Sequence, residues 1–292
     1  MPVKAKKTVR NNDVLILLDQ YQRENKAVAW QRIKYAVQAL KPFFSGKTTL
    51  DIDIPLCRQY TAFRMDQEVA MSTVARELTT LRAACNHALR WKRIGLDEMA
   101  TFEIPVDLPK REIWLFKDEL AHLLKLAEDV NVANFIRIAY TTASRRRAVE
   151  TLEWYQCDFN RKTITLAKRG ERKTNKRRPT VPMRELHDLL RGLHDRRGNE
   201  LVLGSSRDLL YDFEKTLEKA DLLWVKERDG RPAGKITPHV LRHSRATHLL
   251  EDGVSIYAVA KLLGDSVTTV QRTYGHICMS SLEDELSKSS YL

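Results

Sequence analysis

The chain of 292 residues contains no apolar run close to the roughly 18 residues that a membrane-spanning helix requires, so no membrane span is expected. Met1 to Arg10 is basic, but no apolar core of a secretory signal follows it. Cysteine is scarce: Cys57, Cys85, Cys157 and Cys278 are the only four. No two stand at metal-ligand spacing, which excludes a zinc knuckle and a disulfide framework and fits a reducing, cytoplasmic compartment. The eight histidines form no His-x-x-x-His pair with an acid beside it, so no metal site is expected. Acid is in deficit: 38 Asp and Glu face 50 Lys and Arg, giving a net charge of +12 and a pI of about 9.5. Such a surplus points to a polyanion, nucleic acid or an anionic membrane surface, unless it is only a solvated basic surface. Internal repeats and low-complexity tracts are missing as well.

What is present is enough for ordinary cores, with 43% hydrophobic residues and a length that suits one or two domains. Residues 1–11 form a basic tail. Residues 12–100 read as helical, with stripes at Trp30, Ile33, Val37 and Leu40 and at Val74, Leu78, Leu81, Cys85 and Ala88. Ser72 suits the N-cap of the second stripe. The outer faces carry Arg32, Lys34, Arg76, Arg82, Arg90, Lys92 and Arg93, a basic face or simply a solvated one. Residues 101–112, broken by Pro105 and Pro109, read as a linker. In residues 113–279 the pattern is mixed. Helices are expected over 117–128, 133–152, 184–195, 206–220, 238–251, 255–263 and 268–275. Alternation at Lys162–Leu166 and Arg178–Met183 predicts a hairpin with a basic turn, and Pro179 and Pro182 place its second strand at an edge. Thr237 and Pro238 suit an N-cap and first helical position, and Gly253 and Gly264 suit helix ends. The fold class is mainly α with a small β-hairpin or sheet (α+β).

Four groups of residues carry possible chemistry. In Thr142-Ala143-Ser144-Arg145-Arg146-Arg147 three consecutive arginines cannot face one way; one points inward toward an anion, unless all three are surface charges. The turn segment holds Lys168, Arg169, Arg172, Lys173, Lys176, Arg177 and Arg178 against Glu171, suited to phosphate contact, with one lysine able to act as a general acid. In His239-Val240-Leu241-Arg242, His and Arg share one helix face. Their helix start favours phosphate, Arg grips it bidentately, and His moves protons near neutral pH. Tyr274 follows, a residue type able to form a covalent bond as a nucleophile, although a lone Tyr on a short helix is more often packed.

Arg145, a hairpin Lys, His239-x-x-Arg242, Leu263-Gly264-Asp265-Ser266 and Tyr274 stand in the order of the tyrosine recombinases, the phage-integrase family, and Trp154 stands where that family often has Trp. The resemblance spans nearly the whole chain. It implies a helical core-binding domain that clamps DNA over 12–100, contacting it through residues such as Arg76 and Arg82, and a catalytic domain over 113–279. By the same resemblance Tyr274 is the nucleophile that forms a 3′-phosphotyrosine. Arg145 and Arg242 hold the non-bridging oxygens. His239 bonds the phosphate and helps manage the tyrosine proton. Lys173, or its rival Lys176, protonates the leaving 5′-oxygen, and Lys168, Arg169, Arg172, Lys176, Arg177 and Arg178 contact DNA. No cofactor, metal or ATP is implied. The partners implied are double-stranded attachment sites of a phage or other mobile element, a homotetramer on DNA, and possible accessory DNA-bending proteins. Residues 280–292, with Leu282 and Leu286, are a tail that docks on a neighbouring subunit or a frayed end. The short basic start makes dependence on distant arm sites unexpected.

Two positions depart from the family pattern. Asp265 stands where His is usual, and an ionised carboxylate only accepts hydrogen bonds. At about 4 Å it repels a phosphate by roughly 1–4 kcal/mol, so it is expected to orient an Arg or the tyrosine hydroxyl. Ala148 stands where Glu is frequent. A type IB topoisomerase-like enzyme and a DNA-binding relative without activity are the alternatives.

Overall fold

The computed structural model describes residues 12–25, 30–106, 113–170, 179–205, 207–275 and 277. They fall into two compact units that divide between Lys110 and Arg111. The first holds α1 (Val14–Glu24), α2 (Trp30–Phe44), α3 (Ile54–Met65) and α4 (Met71–Arg90). Asp13 and Asp53 start α1 and α3 by accepting the N–H groups of Ile16 and Leu56 at 3.0 and 2.8 Å, which satisfies donors a helix start leaves open. Ile33, Val37 and Leu40 on α2 and Val74, Leu78, Leu81, Cys85 and Ala88 on α4 are buried. Trp30 is not: as the first residue of α2 it lies past the edge of the core, with the Lys34 ammonium 5.2 Å from its ring centroid. Ser72 is not the cap of α4, which begins one residue earlier after Ala70. Glu77 is buried and satisfied, accepting from Tyr60 Oη at 2.6 Å and from Arg64 Nε and Nη2 at 3.0 and 2.9 Å. The start of the expected linker is strapped to this unit. The Thr101 N–H bonds Ile52 O at 3.0 Å, Arg58 grips Glu103 bidentately, and Phe102 and Ile104 cover the core.

The second unit begins with α5 (Lys117–Leu126), α6 (Val130–Thr142) and α7 (Arg146–Glu150). An antiparallel sheet follows in the order β1 (Cys157–Asp158), β2 (Thr163–Thr165), β3 (Thr180–Pro182). Ile164 pairs with both Cys157 and Val181, so these three inward positions sit on the core. Next come α8 (His187–Asp195), α9 (Leu210–Lys219), a short hairpin of β4 (Trp224–Val225) and β5 (Gly234–Lys235), α10 (Val240–Glu251), α11 (Ile256–Leu263) and helical residues 267–275. The fold is mainly helical with small sheets. One core joins Leu115, Phe135, Ile164, Phe213 and Leu241. A second joins Ala143, Ala246, Val259, Leu263, Val270 and Tyr274.

The helix expected over 133–152 is two helices. Ala143 ends α6 in the left-handed region (φ 50°, ψ 33°), and Arg145 is extended (φ −74°, ψ 146°) as the cap of α7. The Thr142 hydroxyl bonds Ile138 O and Ser144 Oγ, both at 2.6 Å, competing with helical continuation. A left-handed alanine costs roughly 1–2 kcal/mol, and Ala143 is fully buried in the second core, which holds it there. Strands β1, β4 and β5 have two residues each, too few to show a period.

Candidate active site

The second core decides where the chemistry-bearing residues lie, because it ties the end of α6, α10, α11 and residues 267–275 into one cluster. Arg242, on the first turn of α10, is 4% exposed. Its Nη1 donates to Ala143 O at 2.8 Å and its Nη2 to Leu263 O at 2.9 Å. Both carbonyls lie at helix C-termini, where acceptors lack intrahelical donors and the dipole favours a cation. Gly264, with φ 66°, turns the chain out of α11, and the Asp265 N–H returns to Ala260 O at 3.1 Å. That closing turn leaves Leu263 O for Arg242 and points Asp265 back toward it. Nη2 of Arg242 donates to Asp265 Oδ2, and Arg145 Nη2 lies 3.6 Å from Asp265 Oδ1. One carboxylate therefore spans both guanidinium groups. Burial and the Arg145 charge lower the Arg242 value, while Asp265 opposes them.

Of the other two arginines, Arg146 pairs with Asp208 and Glu150, and Arg147 with Glu150 at 3.2 Å. Glu150, whose side chain is fully buried, also accepts the Leu209 N–H at 3.1 Å. The buried acid of this helix thus stands at Glu150, not at the position of Ala148. Only Arg145 of the three turns to Asp265.

His239 is the N-cap of α10, which begins at Val240; the expected cap and first-turn pair, Thr237 and Pro238, lie just outside. The Val240 N–H bonds Thr237 O at 2.9 Å, closing a tighter turn before the helix proper. His239 is held down to about 4 by desolvation and by the Arg242 and Arg145 charges, with Asp265 opposing. Its surface is open to solvent, so the two guanidinium charges are the firmer cause.

Tyr274 is 5% exposed. Its Oη lies 2.6 Å from Nδ1 of His243, a residue with no role in the sequence reading. The His239 and His243 rings meet edge to face at 4.7 Å between centroids. Burial, His239 and Arg242 hold His243 down to about 4. The signal for His243 in the sequence is its i, i+4 spacing from His239, which places both rings on one helix face. Read as a metal pair, that spacing lacks its acid.

The structure thus brings Arg145, Arg242, His239 and Asp265 together, with Tyr274 joined through His243. Lys168 is 3.0 Å from Glu153 Oε1, and Arg169 lies over the Tyr155 ring at 4.5 Å with its N–H on Tyr155 Oη at 3.0 Å. Arg172, Lys173, Lys176, Arg177 and Arg178 lie outside the described residues, as do 1–11 and 280–292. In the first unit, Arg76 and Arg82 are exposed on α4 and line a groove of about 750 Å³ with Thr79 and Phe102–Val106.

The family model of the phage integrase family matches residues 114–280, the stretch that holds every residue of this cluster. The chain belongs to the phage integrase family, the tyrosine recombinases. Its relatives include tyrosine recombinase XerC of Corynebacterium glutamicum, 26% identical over 257 residues that cover 83% of this chain and 80% of that protein. Tyrosine recombinase XerA of Thermococcus kodakarensis is 28% identical over 208 residues, 68% of this chain and 70% of the relative. Among solved structures, the Tn1549 transposon integrase in complex with a circular intermediate DNA superposes with a TM-score of 0.75 at 16% identity, covering 96% of this chain and 100% of that one. A lambda integrase tetramer bound to a Holliday junction gives 0.65 at 16% identity, over 92% of this chain and 80% of that one. These likenesses agree with the mainly helical fold of the tyrosine recombinase type. No described helix is long and apolar enough to cross a membrane.

Proposed function

We propose that this tyrosine recombinase is a site-specific DNA recombinase, an integrase of a phage or other mobile element, that cuts and rejoins strands through a 3′-phosphotyrosine on Tyr274. The observation that carries the reading is the meeting of Arg145 and Arg242 on the two oxygens of Asp265, with Tyr274 held by the residue next to Arg242. Two guanidinium groups held in register suit the two non-bridging oxygens of a phosphodiester. As charge builds on those oxygens, fixed donors stabilise it without reorganising.

His239, open to solvent at the helix start, bonds the phosphate. Lys173, with Lys176 as its rival, protonates the leaving 5′-oxygen. Asp265 holds the arginines and does not touch the phosphate. Residues 12–100 act as the DNA-clamping domain through α4, with Arg76 and Arg82 on phosphates, and 113–279 as the catalytic domain. Lys168, Arg169, Arg172, Arg177 and Arg178 add contacts to the backbone. The protein works as a homotetramer on two attachment sites, with 280–292 docking on a neighbour and DNA-bending proteins as possible accessories. The chemistry conserves bond energy in the phosphotyrosine and uses no ATP or metal.

The test is a nicked duplex that loses its 5′-hydroxyl strand after cleavage and so traps the covalent protein–DNA adduct. A randomised pool of such duplexes is expected to yield an adduct with the wild type and none with Tyr274→Phe. Absence of any adduct favours a relative that binds without cutting. Relaxation of supercoils without joint products from two sites favours a topoisomerase-like activity.

A further inference from the structure

Tyr274 needs a destination for its proton, and the sequence reading gives that task to His239. The geometry points elsewhere. Tyr274 Oη lies 2.6 Å from Nδ1 of His243, within the range of a short hydrogen bond, and the ring centroids are 5.8 Å apart. Tyr274 is buried in one core cluster with Val270 and Leu263, so the contact belongs to a packed core and not to a free surface. His243 sits one turn after His239 on α10, with the rings in edge-to-face contact. The two histidines are thus divided in space: His239 faces solvent at the helix start, and His243 faces the phenol.

We infer that His243 is the general base of the reaction, taking the Tyr274 proton at Nδ1 as the phenol oxygen attacks phosphorus. This rests on the strand-cutting function proposed above. In cleavage the Oη–H bond breaks, the Nδ1–H bond forms, Oη bonds phosphorus, and the P–O5′ bond breaks, with the hairpin lysine giving its proton to O5′. In religation the 5′-hydroxyl attacks phosphorus and returns its proton to that lysine, while Tyr274 leaves and recovers its own proton from His243. No proton or electron is left over, and no further reactant is required.

The surroundings support this division. The groups facing His243 are His239 and Arg242 on its own helix and Tyr274 on residues 267–275, with Arg145 and Asp265 one residue farther out, against Arg242 and His239. Burial and the charge of Arg242 keep the imidazole unprotonated down to about pH 4, so at neutral pH it accepts and does not repel the phenol proton. A phosphodiester bound at the arginines offsets the Arg242 charge and raises the ring's proton affinity at the moment it is needed.

The experiment is single-turnover cleavage of the nicked duplex selected from the randomised pool, using the full chain from pH 6 to 9. The wild-type rate is expected to be flat from pH 6 to 8. His243→Gln, which keeps a hydrogen-bonding side chain but no base, is expected to cleave about 10²–10⁴-fold more slowly at pH 7, with a rate that climbs with pH. Imidazole added to His243→Ala is expected to restore part of the rate. His239→Gln is expected to be slower too, but with the wild-type pH profile. A His243→Gln rate within threefold of the wild type, or a profile that turns steep in His239→Gln instead, overturns the assignment. So does a wild-type rate that climbs tenfold per pH unit, a measurement that needs no variant to fold. If the wild type forms no adduct at all, the strand-cutting reading falls with it; if it does and only His243 is silent, that reading stands.

Discussion

Arg242 donates from the protein interior to Oδ2 of Asp265, the carboxylate whose other oxygen lies 3.6 Å from Arg145. The usual histidine at that position can give a hydrogen bond to phosphate; a carboxylate can only receive one. In this chain it faces inward to the two arginines, and in the proposed function its charge holds their geometry.

Asp265→Asn separates those two effects. The neutral amide keeps the shape but removes a negative charge beside the bound phosphate. Cleavage is expected to slow by up to about 10²–10³-fold, the cost of losing one fixed donor, because an arginine that Asp265 held is no longer fixed, while half-site affinity in a gel-shift titration stays the same or tightens. A parent-like cleavage rate contradicts the role given to Asp265.

The two arginines differ in what they do for the fold. Arg242 is buried with three acceptors, and Arg242→Ala leaves two carbonyls unpaired and Asp265 with Arg145 alone, expected to destabilise the second unit by about 3–5 kcal/mol. The Arg145 side chain is 39% exposed, and Arg145→Ala is expected to change stability by no more than about 1 kcal/mol. Both variants should lose cleavage. Urea unfolding of the two proteins checks this, and equal losses of stability contradict it.

The histidines fix the sign of the pH dependence. His243 has a folded value of about 4 against an ordinary 6.5, so between these values the unfolded chain binds more protons. Its contribution is fully present above pH 6.5 and is lost as pH falls toward 4, and His239 and buried His248 act in the same direction. The urea midpoint is therefore expected to fall between pH 7 and pH 5, and to fall less in His243→Gln. A midpoint that rises on acidification contradicts the account.

DNA affinity should fall steeply with salt, because contacts to phosphate release counterions. Arg76→Ala and Arg82→Ala are each expected to reduce the slope of log K against log salt by about 1. Unchanged slopes remove α4 from the DNA-facing surface.

Much of the fold is legible in the sequence. The stripes on α2 and α4 have the helical period, and burial follows from it. The order of Arg145, His239, Arg242 and Tyr274 suggests one site through its resemblance to the family. Three features were not legible, each for a physical reason. The break at Ala143 depends on side-chain bonds of Thr142 and on burial of an alanine in an unfavoured conformation, and neither leaves a period. The clamp on Arg242 uses backbone carbonyls, which no side-chain motif encodes. His243 stands in plain sight one turn from His239, but its partner Tyr274 comes from another element, so only the fold brings the two together.

The most direct measurement is mass spectrometry of the peptide that carries DNA after trapping, digestion and nuclease trimming. A single nucleotide 3′-phosphate on the peptide containing Tyr274 is the predicted result. The same mass on any other residue, or no modified peptide from a protein that still binds the duplex, contradicts the convergence of Arg145, Arg242 and Tyr274 on one phosphate.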